Sequence, residues 1–108
     1  MAKGYWIVRV DVRDGETYQK YLAANAPALA KYEGRFLVRG GAYEAKVGTA
    51  RKRNVVVEFP SYAAALACYQ SPEYGEAIRV RGTSAELEHL VVEGYDGPQP
   101  GAAEGGRR

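Results

Sequence analysis

Apolar and polar residues alternate from Tyr5 to Val12. Trp6, Val8, Val10 and Val12 fall on one side, and Tyr5, Ile7, Arg9 and Asp11 on the other. A period of two is that of a half-buried strand. Asp14 follows, a side chain suited to accept bonds from the free amides of a helix's first turn. Tyr18, Tyr21, Leu22, Leu29 and Tyr32 then recur at helical spacing. Pro27 sits inside that pattern and costs about 3 kcal/mol in an unbroken helix, so a kink or restart is expected near Asn25. Gly34 is expected to end the helix.

The stretch RFLVRGG predicts a second strand, with Phe36 and Val38 on one face and Arg35, Leu37 and Arg39 on the other. Gly40 and Gly41 predict a bulge or bend after it. Alternation resumes at Tyr43, Ala45 and Val47, a turn is expected over Gly48 to Arg51, and RNVVVEF pairs back as a hairpin. Ser61 caps a second helix, whose apolar side is Ala65, Leu66, Cys68 and Tyr69. Ser71 and Pro72 start a further short helix carrying Tyr74 and Ile78. The last strand is read over Leu90 to Tyr95. Residues 96–108, rich in Gly, Pro and Ala, read as a flexible tail behind a domain of residues 1–95.

Strand, helix, strand, strand, helix, strand is the order of an α+β, ferredoxin-like βαββαβ sandwich. Right-handed crossovers put the helices on one face of a four-stranded antiparallel sheet. The expected helix-facing set is Trp6, Val8, Val10, Val12, Phe36, Val38, Val55, Val57, Phe59, Leu90 and Val92, wholly apolar. The expected opposite set mixes Arg9, Arg35, Arg39, Asp11, Glu58 and Glu93 with Ile7, Leu37, Val56, Val91, Tyr5 and Tyr95. That face is too apolar to stand in water and too charged for a dry core. Sheet against sheet across a two-fold axis resolves the conflict, so a homodimer is expected, with Arg9, Arg35, Leu37, Glu93 and Tyr95 as interface candidates.

Composition bounds the function without naming it. The chain has 108 residues, a net charge of +2, and a single cysteine, which excludes an internal disulfide framework and a cysteine-based zinc cluster. The charge is too small for general attraction to nucleic acid. No run is long enough to span a membrane and the start lacks a signal peptide's apolar stretch, so a cytoplasmic protein is expected. The basic run Ala50–Asn54 reads as a solvated turn, and Arg107 and Arg108 add a basic end. No metal site, cofactor or nucleic-acid partner is expected.

Six residues are candidates for a ligand pocket: Arg39, Glu58, Tyr69, Tyr74, His89 and Trp6. Arg39 and Glu58 are expected on one sheet face, where a carboxylate among aliphatics gains basicity and an arginine holds an anion. The bland alternative is a structural ion-pair network. His89, the single histidine, is read as an exposed residue before the last strand, with a general base as the sharper reading. Cys68 is read as packed core. The helical tyrosines are read as core with hydroxyls at the rim, or as the wall of a cleft closed by SPEY and lined by Trp6 and Phe59. Such a cleft suits a small apolar or aromatic acid.

As a set, GYWIVRVDV, the Tyr18–Tyr21 spacing, GRFLVRGG, RNVVVEFPS, YQSPEY and VVEG resemble the family called domain of unknown function 1330, over residues 3 to about 94. The resemblance implies a ferredoxin-like domain forming homodimers of the dimeric α+β-barrel kind. That larger class holds cofactor-free monooxygenases, isomerases, haem enzymes and simple binding proteins. The family implies no particular reaction. Gly15 departs from the proline frequent in the family after the capping aspartate. The expectation is therefore a homodimeric small-molecule binder or cofactor-independent enzyme with a pocket between sheet and helices. The alternative is a non-catalytic assembly module whose charged sheet face is only an interface.

Overall fold

The computed structural model describes residues 2–101. Its elements run β1 (Gly4–Val12), α1 (Gly15–Lys31), β2 (Arg35–Arg39), β3 (Arg53–Phe59), α2 (Tyr62–Gln70), α3 (Pro72–Arg81) and β4 (Ala85–Glu93). The sheet order is β2-β3-β1-β4, every pair antiparallel. The chain is thus a ferredoxin-like α+β sandwich with its second helix split in two. Residues 102–108 of the expected tail, with Arg107 and Arg108, lie outside the described residues.

Local chemistry starts each helix where the sequence places it. Asp14 accepts from the Thr17 amide at 3.2 Å and its hydroxyl at 2.8 Å. Ser61 Oγ accepts from the Ala64 amide at 3.0 Å, and Ser71 Oγ from the Tyr74 amide at 3.1 Å. These caps satisfy amides that have no partner within the helix. The break expected near Asn25 does not occur: α1 runs through Pro27 as one helix. Ala28 and Leu29, just beyond the proline, are buried in the core and hold the last turn in place.

The end of α1 also differs from expectation. The left-handed residue is Glu33, at φ 62°, not Gly34. The Glu33 amide donates to Ala30 O at 3.3 Å and the Gly34 amide to Leu29 O at 2.8 Å, the paired bonds of a Schellman turn. A non-glycine residue there carries a Cβ against the following carbonyl. Glu33→Gly is expected to raise stability by about 1 kcal/mol in urea unfolding. A loss would mean that the Glu33 side chain supplies a contact larger than this strain.

Two phase shifts re-sort the sheet faces. In β2 the pairing runs Phe36 with Val57 and then Val38 with Val56, so a bulge falls at Leu37 rather than at the glycines. Val38 joins the helix-free face and Arg39, opposite Val55, joins the helix-facing one. One extra residue inverts every side chain after it. Gly40, at φ 68°, turns the chain out of the strand. In β4, Val91 pairs with Trp6 and His89 with Val8, so Leu87, His89 and Val91 face the helices. Leu90 and Val92, expected there, are 60% and 40% exposed on the other face. Glu93, opposite Gly4, shares the helix-facing phase at the strand's end.

The expected strand at Tyr43, Ala45 and Val47 is absent. Residues 40–52 form an excursion outside the sheet, with Val47 94% exposed. Alternation alone makes no strand where nothing covers its apolar side.

The core lies between β1, β3 and the helices: Trp6, Val10, Val57, Phe59, Ala28, Ala65, Cys68 and Tyr74 are buried. Cys68 is core, as read, its Sγ 3.6 Å from Ala28 O. Burial pushes its thiol up to about 12.

Candidate functional site

Trp6 is the centre of the helix-facing side. Its indole Nε1 donates to Ala65 O at 3.0 Å, which fixes the ring against α2. Around it stand Phe59, Tyr74 and His89, with ring centroids at 5.0, 4.8 and 4.5 Å. Tyr69 meets His89 edge-on at 4.9 Å. Tilted and edge-on pairs set positive ring edges against negative faces. Strand parity brings Trp6 and His89 together from neighbouring strands, and α2 and α3 lower Tyr69 and Tyr74 onto them.

His89 is therefore not the exposed strand-start residue the sequence suggests. Both ring nitrogens are shielded from solvent without a hydrogen-bond partner. Burial, aided by the Arg81 charge, lowers its proton affinity to a pKa of about 4, so the ring is neutral at pH 7. The Tyr74 and Tyr21 hydroxyls share a buried hydrogen bond of 2.5 Å. Burial first, then the neighbouring Tyr21, holds the Tyr74 phenol well above its ordinary range.

Between this cluster, α1 and the sheet lies a cavity of about 30 Å³. Tyr18, Tyr21 and Asn25 reach it from α1, spaced so that they share one helix face. Phe36, Arg53 and His89 reach it from the sheet. Phe59, expected in the lining, does not. Arg53 lies over Tyr18 at 5.9 Å and Arg81 over Tyr21 at 5.1 Å. Arg53 Nε and Arg81 Nη1 are buried without hydrogen-bond partners.

Of the six pocket candidates, Trp6, Tyr69, Tyr74 and His89 are thus brought together, but of these four Trp6 and His89 alone line the cavity. Arg39 and Glu58 are not. Glu58 stays on the helix-free face, held by Tyr5 Oη and Arg35 Nε at 3.1 Å each. The bulge at Leu37 turns Arg39 to the other face, over the Phe36 ring at 4.1 Å. Sequence reasoning missed Arg53 and Arg81. Arg53 was legible: it has the parity of Val55, Val57 and Phe59.

On the helix-free face, the interface candidates Arg9 and Arg35 are present and Leu37 is 45% exposed at the bulge. Tyr95 lies beyond β4, its hydroxyl donating to Pro98 O at 2.7 Å. The main ion cluster there is one the sequence reading missed. Arg51, assigned to a solvated turn, reaches Asp11 at 2.9 Å, Glu88 at 2.5 Å and Glu86 at 3.8 Å. Arg9 lies 3.8 Å from Glu88 and donates to Thr49 O at 3.1 Å. Arg9, Asp11, Thr49, Arg51 and Glu88 line an open hollow of about 320 Å³ whose charges are already matched. Among the described residues no group of three or more His, Cys, Asp or Glu is placed to hold a metal ion. No described helix is long and apolar enough to cross a membrane.

Solved structures share this fold. A protein of unknown function from Rhodopseudomonas palustris superposes with a TM-score of 0.71 at 17% identity, over 89% of this chain and 85% of that one. SnoaB, a cofactor-independent oxygenase from Streptomyces nogalater, gives 0.59 at 14% identity, over 92% and 96%. A dimeric ferredoxin-like protein of unknown function from Thermobifida fusca gives 0.55 at 13%, over 85% and 89%. At these identities the likeness is one of fold. No curated protein matches the chain. The family model described as domain of unknown function (DUF1330) matches residues 3–95, and the chain belongs to that family.

Proposed function

We propose that this protein is a homodimer that binds a small organic molecule in the cleft between α1 and the sheet. The observation that carries the reading is the set of buried nitrogens on Arg53, Arg81 and His89 that have no partner, gathered around aromatic rings. A buried polar group without a partner costs about 1–3 kcal/mol, so a fold that keeps several in one place keeps them for a ligand. The cavity's 30 Å³ is room for a water or two, so a ring enters only as the side chains around it move apart. A neutral His89 with a free ring nitrogen suits proton transfer, and the Streptomyces relative supports cofactor-independent chemistry as the enzymatic form of this reading.

Dimerisation is supported by the helix-free face. Ile7, Val38, Leu90 and Val92 are 36%, 43%, 60% and 40% exposed there, among ion-paired side chains. A second copy across a two-fold axis covers them in an interface of about 800 Å² per subunit. The relative from Thermobifida fusca, described as dimeric, supports the same assembly. Light scattering is expected to return twice the single-chain mass for the wild type and the single-chain mass for Leu90→Lys. A wild-type monomer at micromolar concentration overturns the assembly.

The ligand is tested by following the indole N–H resonance of Trp6, the single tryptophan, during titration with benzoate, nitrobenzene and 4-nitrophenol. A saturable shift with at least one of them is expected. The second reading, a non-catalytic assembly module, is favoured by the small cavity and the matched ions of the helix-free face. A stable dimer whose Trp6 signal ignores every probe selects it.

A further inference from the structure

The described arginines of this chain fall into two groups. Among the described residues, Arg9, Arg13, Arg35, Arg51 and Arg79 each pair with a carboxylate. Arg39, Arg53 and Arg81 pair with none, and each lies instead over an aromatic ring, Phe36, Tyr18 and Tyr21 in turn. All three rings line the one cavity between α1 and the sheet. Guanidinium groups with no carboxylate partner offer donors to an oxyanion, and the surrounding rings suit an apolar body.

We infer that the cleft takes an oxyanion carried on an apolar ring, an aromatic carboxylate or an ionised phenol, with Arg53 and Arg81 gripping the charged end. This rests on the cleft being a ligand site and adds the chemical class of the ligand. The titratable and charged groups lining the cavity are Tyr18 and Tyr21 from α1, Arg53 from β3 and His89 from β4; from α3, Tyr74 bonds the Tyr21 hydroxyl and Arg81 lies over the Tyr21 ring. Neither Arg53 nor Arg81 has a carboxylate partner to compete with the ligand. His89, with both nitrogens free, donates one bond to the anion when its proton sits on the inward nitrogen. A neutral ligand of the same shape gains the ring contacts and leaves the guanidinium donors unmatched. Charge should therefore decide affinity.

Benzoate and its neutral isostere nitrobenzene separate charge from shape, and 4-nitrophenol reports its own ionisation through the visible band of its phenolate. Benzoate is expected to bind at least about tenfold more tightly than nitrobenzene, the ratio for one charge-assisted hydrogen bond. Protein added below the probe's own pKa is expected to strengthen the phenolate band. Benzoate binding without that strengthening assigns the site to carboxylates, and the reverse assigns it to phenols. Arg53→Met and Arg81→Met should each weaken benzoate by about tenfold or more and leave nitrobenzene within about twofold. Arg53→Lys, which keeps a charge and folds if either methionine variant does not, should recover part of the loss. Nitrobenzene binding as tightly as benzoate, with no change in the phenolate band, overturns the anion assignment while leaving a ligand site. If no probe binds, the ligand site itself falls, and this inference with it.

Discussion

Gly4→Ala is expected to destabilise the protein by about 3 kcal/mol, the upper part of the range for overpacked interiors. Gly4 opens β1 on the helix-facing side, directly beneath the junction of β3 and α2. A Cβ there would lie 2.3 Å from Ser61 O, 2.6 Å from Tyr62 Cα and 2.7 Å from Ser61 C. All three atoms are backbone, so no rotamer change relieves the overlap. Ser61 also caps α2 through Ala64 and accepts the Ala65 amide at 3.1 Å. Pushing Ser61 outward therefore moves the start of α2, and with it the Ala65 carbonyl that anchors the Trp6 indole. A midpoint lower by roughly 10–20 °C should result. Gly75→Ala is the control: within α3 nothing lies within 4 Å of its Cβ. It should hold or gain up to about 1 kcal/mol from helix propensity. An unchanged midpoint for Gly4→Ala would mean that β1 and α2 do not approach this closely.

That contact illustrates which parts of the fold the sequence carries openly. Helix starts are legible because a cap is a bond between a side chain and an amide a few residues on, as at Asp14, Ser61 and Ser71. The order of elements is legible because alternation and helical spacing differ in period. What escapes is set across the sheet. Nothing within RFLVR marks a bulge, and the extra residue at Leu37 exists only relative to the pairing partner in β3. That single slip moved Arg39 off the face of Glu58 and dissolved the expected pair of arginine and carboxylate.

The last strand failed for a different reason. Leu90, Val91 and Val92 form an apolar run that hides the period, because both faces are apolar there. The polar members Glu86 and Glu88, two apart, carried the phase, and extending the strand back to Ala85 would have turned His89 inward. Of the site, then, the residue types were legible and the convergence was not. Tyr74, Trp6 and His89 come from three elements that meet only through the sheet order. Arg81, near the end of α3, carries no sequence signal that separates it from the ion-paired Arg79 one half-turn away.

The inward turn of His89 leads to the second large effect, a dependence of stability on acid. The folded ring has a pKa of about 4 against an ordinary 6.5, and the first cause is burial against Trp6, Tyr69 and Tyr74, the second the charge of Arg81. The unfolded chain binds the proton first as the pH falls. Stability from the neutral ring is therefore complete above 6.5, declines between 6.5 and 4, and levels off once the folded ring protonates too. The whole contribution is about 3 kcal/mol, from the shift at 1.36 kcal/mol per pH unit. Carboxylates held below their ordinary range by partners, among them Asp14, Glu73 and Glu88, lose stability at lower pH and do so in any variant that keeps them. His89→Leu removes the titration and keeps an apolar side chain under the rings. The difference between wild-type and His89→Leu unfolding free energies should narrow or reverse by about 3 kcal/mol between pH 7 and 4. Parallel curves would place the His89 ring in water and take the cleft's neutral nitrogen with it.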